Sequence, residues 1–155
     1  TIFDAYFIGQ HDNRINTIEK ITERFIAKDL KTNIIIRTNK NIKKKNSSIN
    51  YSNEEIPFEK NIENIKNAKI ILDIQKPEQN GLTFRVFEAI GLEKKLITTN
   101  KDIVNYDFYN PNNIFVWDNI TTEIPNDFLT TPYQPLSIPI FEKYSIKKWV
   151  KTILN

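Results

Sequence analysis

One uninterrupted run, residues 81–100, constrains this chain more than any other. It reads G-L-T-F-R-V-F-E-A-I-G-L-E-K-K-L-I-T-T-N and joins a glycine turn, a helix and a buried strand. Thr83 has the residue type of an N-cap, Phe84, Phe87, Ile90 and Gly91 recur at helical spacing, and Gly91 is placed to stop the helix before a strand at 96–99. The free N–H groups and the positive dipole end of such a helix start favour a phosphate or diphosphate, so Gly81, Leu82 and Thr83 form a candidate anion loop. Arg85 lies in the first turn, where a cation opposes the dipole. That position calls for an anionic ligand or a neighbouring carboxylate, for which Glu88 and Glu78 are the candidates. Glu88 stands one turn on from Phe84, within reach of a ribose hydroxyl if phosphates rest at the helix start.

The rest of the chain alternates strand and helix. Residues 3–8 read as a strand ending at Gly9, and a polar turn through Arg14 leads to a helix carrying Ile15, Ile18, Ile21, Phe25 and Ile26. Three consecutive isoleucines in 33–38 have the unbroken apolar character of a strand covered on both faces, which points to a parallel sheet. Residues 39–53, dense in Asn, Lys and Ser, read as a surface loop, with Lys43, Lys44 and Lys45 either solvated or touching acidic lipid headgroups. A short helix at 58–67, a strand at 69–74 and the Pro77–Gly81 loop precede the diagnostic run. After it come a turn or short helix at 102–106, an Asn-Pro-Asn-Asn turn and a last strand at 114–117. A small helix at 122–129, an extended stretch at 132–139 and a closing helix capped by Ser145, with Ile146, Trp149, Val150, Ile153 and Leu154 as its apolar face, complete the reading. This order predicts a doubly wound, Rossmann-like α/β fold. Its sheet is mostly parallel, helices cover both faces, and the loops after Gly9, Thr38, Ile74 and Thr99 share one edge.

A chain of 155 residues with 39% apolar content has the size of one domain with its own core. It has no cysteine and one histidine, so zinc-thiolate and disulfide chemistry are excluded and any histidine-based triad would depend on His11 alone. The polar setting of His11 favours a surface residue over an acid or base. With 22 basic against 19 acidic residues and no interleaving of basic with aromatic side chains, nucleic-acid binding is not expected. No apolar run approaches the roughly 20 residues that span a bilayer, which leads to the expectation of a cytoplasmic protein. A start at Thr1, the absence of methionine and a strand pattern by Phe3 lead to the further expectation of a piece of a longer protein whose N-terminal part completes the site. Asp73, at a strand end on the ligand edge, has the place of a turn, capping or ligand-contact residue. Tyr51, Ile56 and Phe58 are candidates for a base-stacking wall or for core; Tyr106, Phe108, Tyr109 and Trp117 read as packing, with Tyr106 nearest to a ligand role.

The run I-L-D-I-Q-K-P-E-Q-N-G-L-T-F-R-V-F-E-A-I-G-L-E-K-K-L-I-T-T-N, followed by N-Y-D-F-Y-N-P-N-N-I-F-V, resembles bacterial lipopolysaccharide and capsule biosynthesis proteins. Those in turn are similar to the C-terminal, nucleotide-sugar-binding half of GT-B glycosyltransferases. The likeness is most specific over 68–116 and looser over 4–14 and 144–154. It implies that Glu88 holds the ribose, that Gly81, Leu82 and Thr83 face the diphosphate, and that Arg14 is the basic residue after the first strand that neutralises phosphate. The Gly9 turn reads Q-H-D-N-R where relatives carry a more basic, glycine-containing turn, and Leu92-Glu93 replaces their small residues. The resemblance further implies a nucleotide-sugar donor as substrate with no separate cofactor and no metal. It implies a glycan or lipid-linked acceptor and a catalytic base supplied by an N-terminal domain; the net charge of +3 is compatible with contact at the inner face of the cytoplasmic membrane. The isolated domain is then expected to be inactive. A different class, a non-enzymatic α/β module binding protein or polysaccharide, uses the glycine loop only as a turn.

Overall fold

A computed structural model of the chain describes residues 1–42, 48–120 and 123–145. Its strands are β1 Phe3–Gln10, β2 Thr32–Arg37, β3 Ile49–Ser52, β4 Ala68–Asp73, β5 Lys95–Thr98 and β6 Ile114–Val116. Its helices are α1 Ile15–Ile26, α2 Phe58–Lys66, α3 Phe84–Gly91, α4 Asn126–Thr130 and α5 Ile138–Tyr144, with a 3-10 turn at Lys101–Asn105. The six strands form one sheet in the order β3-β2-β1-β4-β5-β6, and every adjacent pair is parallel. All carboxyl ends therefore share one edge, as a doubly wound sheet requires.

Alternation along the strands feeds two cores. Ala5 and Phe7 of β1, Ile34 and Ile36 of β2 and Leu72 of β4 pack against Ile18, Ile21 and Phe25 of α1, with Phe128 of α4 on the same face. Tyr6, Ile35, Ile71 and Leu96 point the other way, onto Ile65 of α2 and Val86, Ala89 and Ile90 of α3. Each fully buried isoleucine or phenylalanine contributes about 1.5–3 kcal/mol relative to exposure, so these two layers are what hold the loops of the carboxyl edge in place. Lys95, at the start of β5, is buried on the α1 face, and its ammonium donates to the Phe128 carbonyl at 2.6 Å and to Thr131 Oγ1 at 3.0 Å. It ties the last turn of α4 to the sheet.

The structure departs from the sequence expectations in several places. Residues 39–53 are not all loop: β3 lies within them and pairs with β2, because Ile49 is buried and Tyr51 packs against the α1-side core while Asn50 stays exposed. The apolar stripe of α3 is rotated. Phe84 is 71% exposed and the buried residues are Val86, Glu88, Ala89 and Ile90. The helix does end at Gly91, its last residue, but the left-handed residue beyond it is Glu93, at φ 52°. The stretch expected to be extended at 132–139 runs into α5, and Ser145 directly follows that helix. The helix expected at 122–129 is α4, at Asn126–Thr130. The expected closing helix at 146–154 and the Lys43–Lys45 run lie outside the described residues, as does Thr122.

Candidate functional site

The chain order reverses between β1 and β4. β1 leads through α1 to β2 on one side, β4 leads through α3 to β5 on the other, and the two helices lie on opposite faces of the sheet. Loops that diverge in this way open a crevice beyond the strand ends, which is where open α/β sheets bind ligands. The Gly9–Arg14 turn at the end of β1 and the loop from Ile74 to Thr83 after β4 flank this position.

Arg14 occupies the N-cap position of α1 and turns back over the strand ends. Its guanidinium makes a bidentate pair with Asp12, at 2.7 Å for Nη2, and Nη1 donates to the Ile74 carbonyl at 2.8 Å. Hydrogen bonding from Arg14 holds the Asp12 carboxyl below its ordinary range. Gly9, at the start of this turn, makes room for the buried Phe7 ring: a Cβ there would sit 2.6 Å from its Cζ, whereas Arg14 Nη2, at 3.5 Å, would be in ordinary contact.

Arg85 mirrors Arg14 from the opposite face. Its Nη1 donates to Glu88 Oε2 at 2.8 Å and its Nη2 to the Ile8 carbonyl at 3.3 Å. Thus the β1 turn sends a guanidinium to the end of β4, and the helix after β4 sends one to the end of β1. Both positive charges act on Asp73, the last residue of β4.

Asp73 is 2% exposed, and its two oxygens accept from Thr83 Oγ1 at 2.7 Å and from Thr98 Oγ1 at 2.8 Å. Register explains the second contact, because Thr98 of β5 pairs directly with Asp73. Burial pushes the Asp73 carboxyl up from its ordinary value, and the two hydroxyls and two guanidiniums offset only part of that. This arrangement corrects the expected role of Thr83. It has the extended backbone of an N-cap, φ −86° and ψ 165°, but its hydroxyl faces Asp73 and makes no capping bond.

Gly81 has φ 81°, a conformation open to glycine at no steric cost. Its carbonyl accepts from Gln75 Nε2 at 2.8 Å and Asn100 Nδ2 at 3.3 Å, and the Gln75 N–H donates to Thr99 Oγ1 at 2.9 Å. The loop is therefore fastened to the end of β5, and Leu82 anchors it by packing on the α3-side core. Glu88 is 9% exposed. Its Oε1 accepts from Asn61 Nδ2 of α2 at 3.3 Å, and Asn61 Oδ1 accepts from the Tyr6 hydroxyl of β1 at 2.9 Å.

The fold brings Arg14, Arg85 and the Gly81–Thr83 loop to one crevice and joins Arg85 to Glu88 as an ion pair. His11 groups instead with Tyr51, ring to ring at 6.2 Å, beside β3. Tyr51 and Ile56 do not build one wall, since they pack on opposite faces of the sheet, while Phe58 is 68% exposed at the start of α2. Tyr106 stacks on buried Phe108 at 5.3 Å, a packing role. Sequence reading missed Tyr6, Asn61, Gln75, Thr98 and Asn100. Only Thr98 carried a usable signal, since two strands ending one after the other on one edge put their last residues side by side. Among the described residues, no helix is long and apolar enough to cross a membrane. No protein-family model, curated protein or solved structure matches the chain.

Proposed function

We propose that the chain binds a nucleotide-diphosphate sugar in the β1–β4 crevice, as the donor domain of a glycosyltransferase of bacterial surface polysaccharide biosynthesis. The observation that carries the reading is the convergence of two guanidiniums, Arg14 and Arg85, on the strand-order reversal, beside the glycine loop that opens α3. In this reading the diphosphate lies across the loop and the helix start, the ribose hydroxyls take Glu88, and Arg85 passes from Glu88 to phosphate. Fixed dipoles and cations then stabilise the departing diphosphate, which is electrostatic catalysis and asks for no proton transfer by these residues. The acceptor and the general base belong to a partner domain.

Titration calorimetry with UDP, GDP and CMP tests this. One nucleotide is expected to bind saturably, and Arg85→Ala or Glu88→Gln to weaken it about tenfold or more, the size of a lost hydrogen bond to a charged group. Unchanged affinity in both variants would remove the site assignment. The second reading, a non-enzymatic module binding protein or polysaccharide, draws on the exposure of Phe58 and Phe84, which start α2 and α3 on the ligand edge. Silence from all three nucleotides together with retention on a polysaccharide column would favour it.

A further inference from the structure

Glu88 is held from behind by a relay that the donor reading does not use. A carboxylate only accepts hydrogen bonds, so Asn61 must turn its Nδ2 toward Glu88 Oε1, at 3.3 Å. That fixes the amide with Oδ1 toward Tyr6, whose hydroxyl must then donate, at 2.9 Å. Tyr6 is fully buried, and its phenol is anchored in the central strand β1. The direction of every proton in the relay thus follows from the acid at its end, and Asn61 has one orientation that satisfies both neighbours.

The two oxygens of Glu88 are consequently unequal. Oε1 belongs to the relay, while Oε2 faces Arg85 at 2.8 Å, in a pair whose side chains keep some contact with solvent, 24% exposed for Arg85 and 11% for Glu88. Only Oε2 is free to change partners. A ribose hydroxyl can replace Arg85 there while the freed guanidinium turns to a phosphate, and the carboxylate stays bonded throughout. A nucleotide without the 2′-hydroxyl would displace Arg85 without fully replacing its bond, and a buried acceptor left short of a donor is costly.

Resting on the donor reading above, we infer that Asn61, oriented by Tyr6, is the positioning residue that presents Glu88 to the ribose diol, and that the site selects ribonucleotides over 2′-deoxyribonucleotides.

The test is a pair of titrations for each protein. UDP, GDP and CMP are tried on the wild type, and the one that binds is compared with its 2′-deoxy form. The wild type is expected to prefer the ribonucleotide about tenfold or more, Asn61→Leu to bring that preference within about twofold, and Tyr6→Phe to fall between them. A merely structural role would lower both affinities together and leave their ratio unchanged. That result in Asn61→Leu, with a normal melting curve, overturns the inference; if Asn61→Leu does not fold, the same ratio in Tyr6→Phe decides it. Silence of the wild type toward all three nucleotides removes the donor reading itself, an outcome separate from binding with the preference intact in the variants.

Discussion

Asp73 sits where water is replaced by two threonine hydroxyls and the fields of two arginines. Because burial raises its folded pKa above the ordinary 3.8, the native protein holds a proton that the unfolded chain has already released as pH climbs past that value. The stabilisation from this proton is complete below 3.8 and is lost as pH rises through the folded pKa. Asparagine at this position does not titrate, and the threonine hydroxyls can rotate to serve either end of its amide. Asp73→Asn is therefore expected to gain stability relative to the wild type across that window, with a slope of up to about 1.4 kcal/mol per pH unit. Denaturant unfolding from about pH 4 to about pH 7 measures it, and parallel curves for the two proteins would show that Asp73 does not titrate there.

The left-handed position that closes the C-terminal end of α3 is not a glycine. The Lys94 N–H reaches the Ala89 carbonyl at 2.8 Å and the Glu93 N–H reaches that of Ile90 at 3.2 Å, the paired bonds of a Schellman cap, with Glu93 in the left-handed position at φ 52°. Asp29 does the same after α1, at φ 55°. A side chain there costs about 1–2 kcal/mol, partly offset by the stiffer unfolded chain, so Glu93→Gly is expected to raise stability by about 0.5–1 kcal/mol in thermal unfolding. This cap also marks how far elements were legible. The strands with continuous apolar runs, β2 and β4, and the amphipathic α1 could be read from the residues, since burial on both faces or on one stripe leaves its period in the sequence. β3 could not, because a four-residue edge strand among Asn, Lys and Ser leaves two alternating positions as its signal. α3 was placed correctly, but its phase was not, since Glu88 is buried by contacts with Asn61 and Arg85 that hydrophobic spacing cannot register. Arg14, Arg85 and the glycine loop were legible as chemistry; the carbonyls they clasp, Ile74 and Ile8, depend on which strands are neighbours.

In the whole molecule, stability should fall outward from the middle of the sheet. β1 and β4 are flanked by strands on both sides, whereas β3 and β6 are edges of four and three residues. Amide exchange is expected to be slowest in β1 and β4 and, among strands, fastest in β3 and β6; protection of β3 equal to that of β1 would contradict the strand order. The same order splits the sequence into two successive halves, β1–β3 and β4–β6, which meet where β1 lies against β4. In mechanical terms that junction is a seam, and Arg14 and Arg85 are stitches drawn through it from opposite sides. A ligand that takes Arg85 away from the Ile8 carbonyl replaces one stitch with a thread passing through itself. Its grip on the protein and the protein's resistance to parting along the seam then become one quantity.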